Sequence, residues 1–176
     1  EFGPILFSDD FETAGLFAEN WDASKGLKPE NGQVRIAGNG NLTLRRSMED
    51  KDFAVSADLK PAKNGEEYGH TGIIVDGIHF MLRADGRAGT AYRPPAAKSS
   101  LGTVAVIPEY RFGDPCNVTV IRRRAGESRQ YIFMVNGKAL ISFQDSAMVP
   151  NGRISIYSYR AVLTVDNATV YSIAKG

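Results

Sequence analysis

Two dipeptides, Asp76-Gly77 and Asn136-Gly137, each stand between two apolar runs, and they restrict this chain more than any other feature. A two-residue turn needs positive φ at both central positions, which Asn and Asp tolerate and Gly takes without strain. Each dipeptide therefore predicts a β-hairpin, and with it a register. For the first, Val75 pairs with Ile78, Ile74 with His79, Ile73 with Phe80, Gly72 with Met81, Thr71 with Leu82 and His70 with Arg83. Paired residues share a face and faces alternate along a strand. Ile73, Val75, Ile78, Phe80 and Leu82 then form a core face. His70, Ile74, His79, Met81 and Arg83 form the other, so both histidines of the chain stand beside an arginine on the non-core side. A slip of one residue would undo this arrangement.

The same reasoning on Tyr131 to Phe143 sets Phe133, Val135 and Leu140 on one face and Ile132, Met134, Ala139 and Ile141 on the other. Neither face is polar, so that hairpin is structural. In the segment Arg153 to Arg160, Ile154 and Ile156 read as core, which turns Arg153, Ser155, Tyr157 and Tyr159 the opposite way.

Strand signals recur along the chain: Gln33 to Ile36, Asn41 to Leu44, Phe53 to Leu59, Gly72 to Val75, Ile78 to Ala84, Val104 to Ile107, Asn117 to Arg123, Tyr131 to Val135, Lys138 to Phe143, Arg153 to Tyr159 and Leu163 to Ile173. Turn residues separate them, and only Thr13 to Glu19 could hold a helical turn. The pattern predicts a single all-β domain over residues 1–176, an antiparallel two-sheet sandwich. Its expected core is Phe11, Trp21, Ile73, Phe80, Leu82, Val118, Val120, Phe133, Leu140, Ile154, Ile156 and Val165. The stretch from Pro94 to Ser100 reads as a surface loop.

A formal net charge of +1 argues against a nucleic-acid partner, and no apolar run reaches the roughly 18 residues of a membrane span. Cys116 is the single cysteine, which excludes an intrachain disulfide and a cysteine-based zinc site; it reads as a small buried hydrophobe. The opening Glu1-Phe2-Gly3, without Met, suggests a mature or excised fragment. The triplets at Asn41, Asn117 and Asn167 fit the N-glycosylation pattern. Both features point to a secreted or periplasmic setting.

"LFSDDFET", "ENGQVRI", "EEYGHTGIIVDGIHFMLRADGR", "NVTVIRR" followed by "YIFMVNGKALISF", and "LTVDNATVYSI" come in an order that resembles the concanavalin A-like lectin/glucanase jelly roll. Within it the chain is most similar to 3-keto-disaccharide hydrolase-type and laminin-G-like domains. The resemblance covers nearly the whole chain and implies two stacked curved sheets, with glycans in the groove of the concave one. "MEDKDF" lacks the alternating carboxylates of laminarinase-type members, since Glu49, Asp50 and Asp52 are wrongly spaced. Gly77 stands where alginate-lyase-type members carry Gln two before His79.

If the central hairpin lies in the concave sheet, His70, His79 and Arg83 face the groove together with Tyr157 and Tyr159. Tyr68, Tyr92, Arg93, Tyr110 and Arg111 are candidates for its rim. Aromatic rings offer flat surfaces to sugars, and arginine offers forked donors to hydroxyls or carboxylates. The expected partner is an oligosaccharide or polysaccharide, neutral or anionic, and the foremost reading is a glycan-binding domain of an extracellular polysaccharide-degrading system. A polysaccharide lyase is the alternative, with His79, Arg83 and Tyr157 as catalytic candidates. A glycoside hydrolase would need two carboxyl groups, for which Glu66, Glu67, Glu109 and Asp114 are available. A laminin-G-like module would bind a protein instead. The resemblance also implies a structural calcium ion joining the first and last strands, with Asp166 as the late aspartate and Asp10 and Glu12 as the opening acidic pair.

Overall fold

The computed structural model describes residues 2–65, 68–85, 87–94, 100–146 and 150–174. Its strands are β1 (Phe2–Asp9), β2 (Trp21–Ala23), β3 (Pro29–Glu30), β4 (Gln33–Leu44), β5 (Phe53–Lys63), β6 (His70–Val75), β7 (Ile78–Arg83), β8 (Gly89–Tyr92), β9 (Ser100–Val104), β10 (Cys116–Ala125), β11 (Ser128–Val135), β12 (Lys138–Asp145) and β13 (Ile154–Ile173), with one short helix, α1 (Ala14–Asn20). Every strand pairing is antiparallel.

Strand β13, 20 residues long, belongs to two layers. Its first part, Ile154 to Tyr159, pairs with β6, and Ala161 to Ser172 pairs with β5. Along its other side it meets β4 and then β1. One layer thus runs β4, β13, β6, β7, β8, β9, and the other runs β1, β13, β5, β10, β11, β12. The passage between layers falls at Arg160, a non-glycine residue with φ of 51°, where the ladder to β4 also shifts register between Ser158 and Ala161. The sequence pattern divides this strand in two, because a bulge residue breaks alternation without breaking the strand. The same shift explains why β4 is continuous across Ala37 to Gly40. Strand β1 and the short β8 carry weak patterns of their own and are formed by their neighbours.

Both hairpin turns have the expected geometry, with positive φ at Asp76 and Gly77 (53° and 78°) and at Asn136 and Gly137 (49° and 76°). The first register is the one expected, from His70 opposite Arg83 to Val75 opposite Ile78. The second is corrected by a bulge. Val135 faces Lys138 and Met134 faces Ala139, but Phe133 then faces Ile141, so Leu140 is passed over. Ile141 takes the buried place and Leu140 is only partly buried against the core. The other expected core residues are buried.

Between the layers, Phe80 of β7 lies 5.8 Å from the Phe133 ring and 6.2 Å from the Phe143 ring. Burying one such side chain stabilises by about 1.5–3 kcal/mol. At the N-terminal end the Asp9 carboxylate accepts hydrogen bonds from the Phe11 backbone (2.8 Å), Asn20 Nδ2 (3.3 Å) and Trp21 Nε1 (2.9 Å). It thereby ties β1 and the α1 segment to the buried Trp21.

Candidate functional site

The outer face of the β4 to β9 layer carries a groove of about 620 Å³. Cross-strand register decides what meets there. Tyr157 stands opposite Gly72, Tyr159 opposite His70, His70 opposite Arg83, and His79 between Ile74 and Tyr92. Gly72 contributes no side chain, and a Cβ there would run into the Phe80 carbonyl. The Tyr157 ring fills the centre, 5.6 Å from the His70 ring and 5.0 Å from the His79 ring, edge-on to both. Its hydroxyl is 3.0 Å from His70 Nδ1. Tyr159, more exposed, tilts over His70 at 5.0 Å, and Tyr92 stands edge-on to His79 at 6.3 Å.

Burial sets the protonation of this floor. It lowers His70 to about 4, with the charge of Arg83 and the neighbouring His79 adding to the shift. Burial also lowers His79, and it pushes the Tyr157 hydroxyl up. At neutral pH the floor therefore holds two neutral imidazoles and a protonated phenol. Its fixed charge lies at one end. Arg83 donates from Nε (3.0 Å) and Nη2 (2.6 Å) to the two oxygens of Asp85, which also receives the Arg87 backbone N–H at 3.1 Å. Hydrogen bonds from Arg83, foremost among several causes, hold the Asp85 carboxyl down to about 2.

His70, His79, Arg83, Tyr92, Tyr157 and Tyr159 all line the groove. The remaining rim candidates do not. Tyr110 is buried in the core, where burial raises its hydroxyl above the ordinary tyrosine value. Arg93, just after β8, pairs with Asp145 at the end of β12. Arg111 is exposed beside the turn that Asp114 closes by accepting its backbone N–H. Tyr68 is exposed outside the groove lining, and Arg153 lines a separate cleft with Asp22 and Arg45. Loop residues escape strand alternation, so nothing in the sequence directs their side chains. Conversely, Asn41, Ser158, Thr90, Thr103 and Arg87 line the groove without having been expected to. Asn41 and Thr90 follow from pairing once β4 and β8 are known, as neighbours of Tyr157 and Met81.

No carboxylate lines the groove among the described residues. Glu109 is an exposed partner of Lys138, and Asp114 caps its own turn. Glu66 and Glu67 lie outside the described residues, as does most of the stretch from Pro94 to Ser100.

The acidic residues expected to hold calcium do not form a ligand cluster. Asp10 accepts the Glu12 backbone N–H, both side chains being exposed, and Asp166 accepts from the Gln33 amide at 3.2 Å. Among the described residues no three His, Cys, Asp or Glu side chains are gathered where they could hold a metal ion. No helix in those residues is long and apolar enough to cross a membrane.

No protein-family model and no curated protein matches the chain. Solved structures do. An endo-1,3-beta-glucanase from Streptomyces sioyaensis superposes with a TM-score of 0.72 at 11% identity, over 98% of this chain and 97% of that one. The carbohydrate binding module CBM66 from Bacillus subtilis gives 0.65 at 14% identity, over 87% and 96%. The exoplasmic/lumenal domain of VIP36, in its Ca2+/Man3GlcNAc-bound form, gives 0.68 at 9% identity, over 96% and 89%. Identities this low speak for the backbone arrangement and not for a shared activity. With its two antiparallel layers and their shared last strand, the chain has the concanavalin A-like lectin/glucanase fold.

Proposed function

We propose that the chain is a glycan-binding domain whose site is the groove over His70, His79 and Tyr157. The observation that carries this reading is the convergence of Tyr92, Tyr157 and Tyr159 with two neutral histidines on one outer face, where an ordinary sandwich surface would be solvated and charged. Rings provide apolar area for the faces of sugars. Ring nitrogens, Asn41 and the hydroxyls of Thr90 and Thr103 provide donors and acceptors for sugar hydroxyls. Structures with this backbone arrangement include a glucanase and a carbohydrate binding module, which supports a saccharide ligand. A polymeric ligand accords with a secreted or periplasmic setting. The test is gel retardation and calorimetry of the full chain with a panel of oligosaccharides and polysaccharides. Binding that is lost in Tyr159→Ala and His79→Ala, at unchanged melting temperature, is the expected result; no retardation on any member of the panel would overturn the reading.

A second reading, polysaccharide lyase, is favoured by the 3.0 Å approach of His70 Nδ1 to the Tyr157 hydroxyl. The ring nitrogen lies within hydrogen-bond reach of the phenol, which is the geometry a proton relay requires. Ultraviolet absorbance from an unsaturated uronate, growing with time and absent in His70→Gln, would put this reading ahead of binding alone.

A further inference from the structure

The groove is electrostatically one-sided. At its β7–β8 end, Arg83 and Arg87 both line it, while among the described residues no acidic side chain does. The one carboxylate nearby, Asp85, is shared between them. It takes Arg83 through Nε and Nη2, and it takes Arg87 through the backbone N–H and, at 3.3 Å, through Nη2. Two guanidinium groups on one carboxylate leave one positive charge unmatched. The bidentate grip also fixes the plane of Arg83, whose side chain is 14% exposed, and among the described residues its Nη1 makes no hydrogen bond. Arg87 is 59% exposed and can settle onto a ligand. A partly buried, oriented guanidinium beside an exposed one is suited to an oxyanion, because charge-assisted bonds strengthen where water is excluded.

We infer that the groove takes an acidic glycan, whose carboxylate or sulfate is seated between Arg83 and Arg87 while its rings lie over Tyr157 and the histidines. This rests on the groove being a glycan site and adds the class of glycan. A purely structural alternative, in which Asp85 only staples its own turn, calls for neither arginine to face the groove.

The experiment is calorimetry of the full chain with two matched pairs of ligands: an oligogalacturonide against its methyl ester, and a sulfated galactan oligosaccharide against its desulfated form. The acidic member of one pair is expected to bind about tenfold to a hundredfold tighter, the range of a single charge-assisted bond. That preference should shrink as salt is raised. In Arg87→Gln it should fall by at least half on a logarithmic scale, with an unchanged melting temperature. Which pair shows the preference tells a carboxylate from a sulfate. Equal affinity within both pairs would overturn the acidic seat while leaving a glycan groove in place. Failure of all four ligands, together with the whole panel above, would overturn both readings.

Discussion

Asp76 and Arg122 form an ion pair with both side chains wholly buried, Nε to Oδ2 at 3.2 Å. Asp76 also accepts from the Tyr131 hydroxyl at 2.8 Å and from the backbone N–H groups of Asn151 and Gly152 at 2.9 and 2.7 Å. Arg122 donates onward to the carbonyls of Met48 and Glu49. A residue of the groove hairpin's turn is thereby bound to β10, β11 and two loops. Asp76→Asn keeps the positive-φ turn but removes the charge that Arg122 faces. Breaking one side of a buried pair costs about 3–5 kcal/mol, and urea unfolding should show a loss of that size. A loss below about 1 kcal/mol would mean that the backbone carbonyls suffice for the guanidinium.

His70 makes stability depend on pH. Its ring takes a proton near pH 6.5 when unfolded and near pH 4 when folded. Between those values the unfolded chain binds more protons, so stability is complete above about 6.5 and declines as pH falls to about 4. One proton bound by the unfolded chain and not by the folded one gives a slope of at most about 1.4 kcal/mol per pH unit, and solvent at the groove narrows the window over which it acts. Thermal melts across that window should decline less steeply for His70→Gln than for wild type. Parallel profiles would remove His70 as the cause.

Tyr157→Phe deletes the hydroxyl that meets His70 and leaves the ring between the two histidines. A lost hydrogen bond of this kind costs about 0.5–1.5 kcal/mol, so the variant should fold. Freed from that bond, the His70 ring should change its titration, read by NMR as a moved midpoint. An unmoved midpoint would show that burial and the charges of Arg83 and His79 set it without the hydroxyl.

Cys116 is buried beside Tyr110, and burial pushes its thiol up to about 12. Only the thiolate reacts. Native protein at neutral pH should resist alkylation that goes to completion in denaturant. Rapid native labelling would show that the β10 end opens readily.

Where local chemistry decides, the sequence is legible. The Asp76-Gly77 turn determines which side of β6 and β7 each residue takes, and so His70, His79 and Arg83 could be placed in one groove from the sequence. Tyr157 and Tyr159 follow from Ile154 and Ile156 by the same alternation. Of the rim candidates Tyr92 lines the groove, while the others, Tyr68, Arg93, Tyr110 and Arg111, and the metal candidates Asp10, Glu12 and Asp166 are residues of loops, bulges and strand ends, where no period constrains direction. There Asp166 takes up with Gln33, and Tyr110 goes into the core.

By itself, then, the sequence determined the antiparallel β class, the first hairpin's register and the composition of one face, because turn dihedrals and strand alternation act over a few residues. Only the tertiary structure decided that β13 serves both layers, that Leu140 yields its place to Ile141, and that Asp76 answers Arg122 across 46 residues of chain. It also decided that Asp85 gathers two arginines at the groove's end. Bulges, buried charges and shared carboxylates depend on which distant groups arrive at the same place, and packing alone settles that.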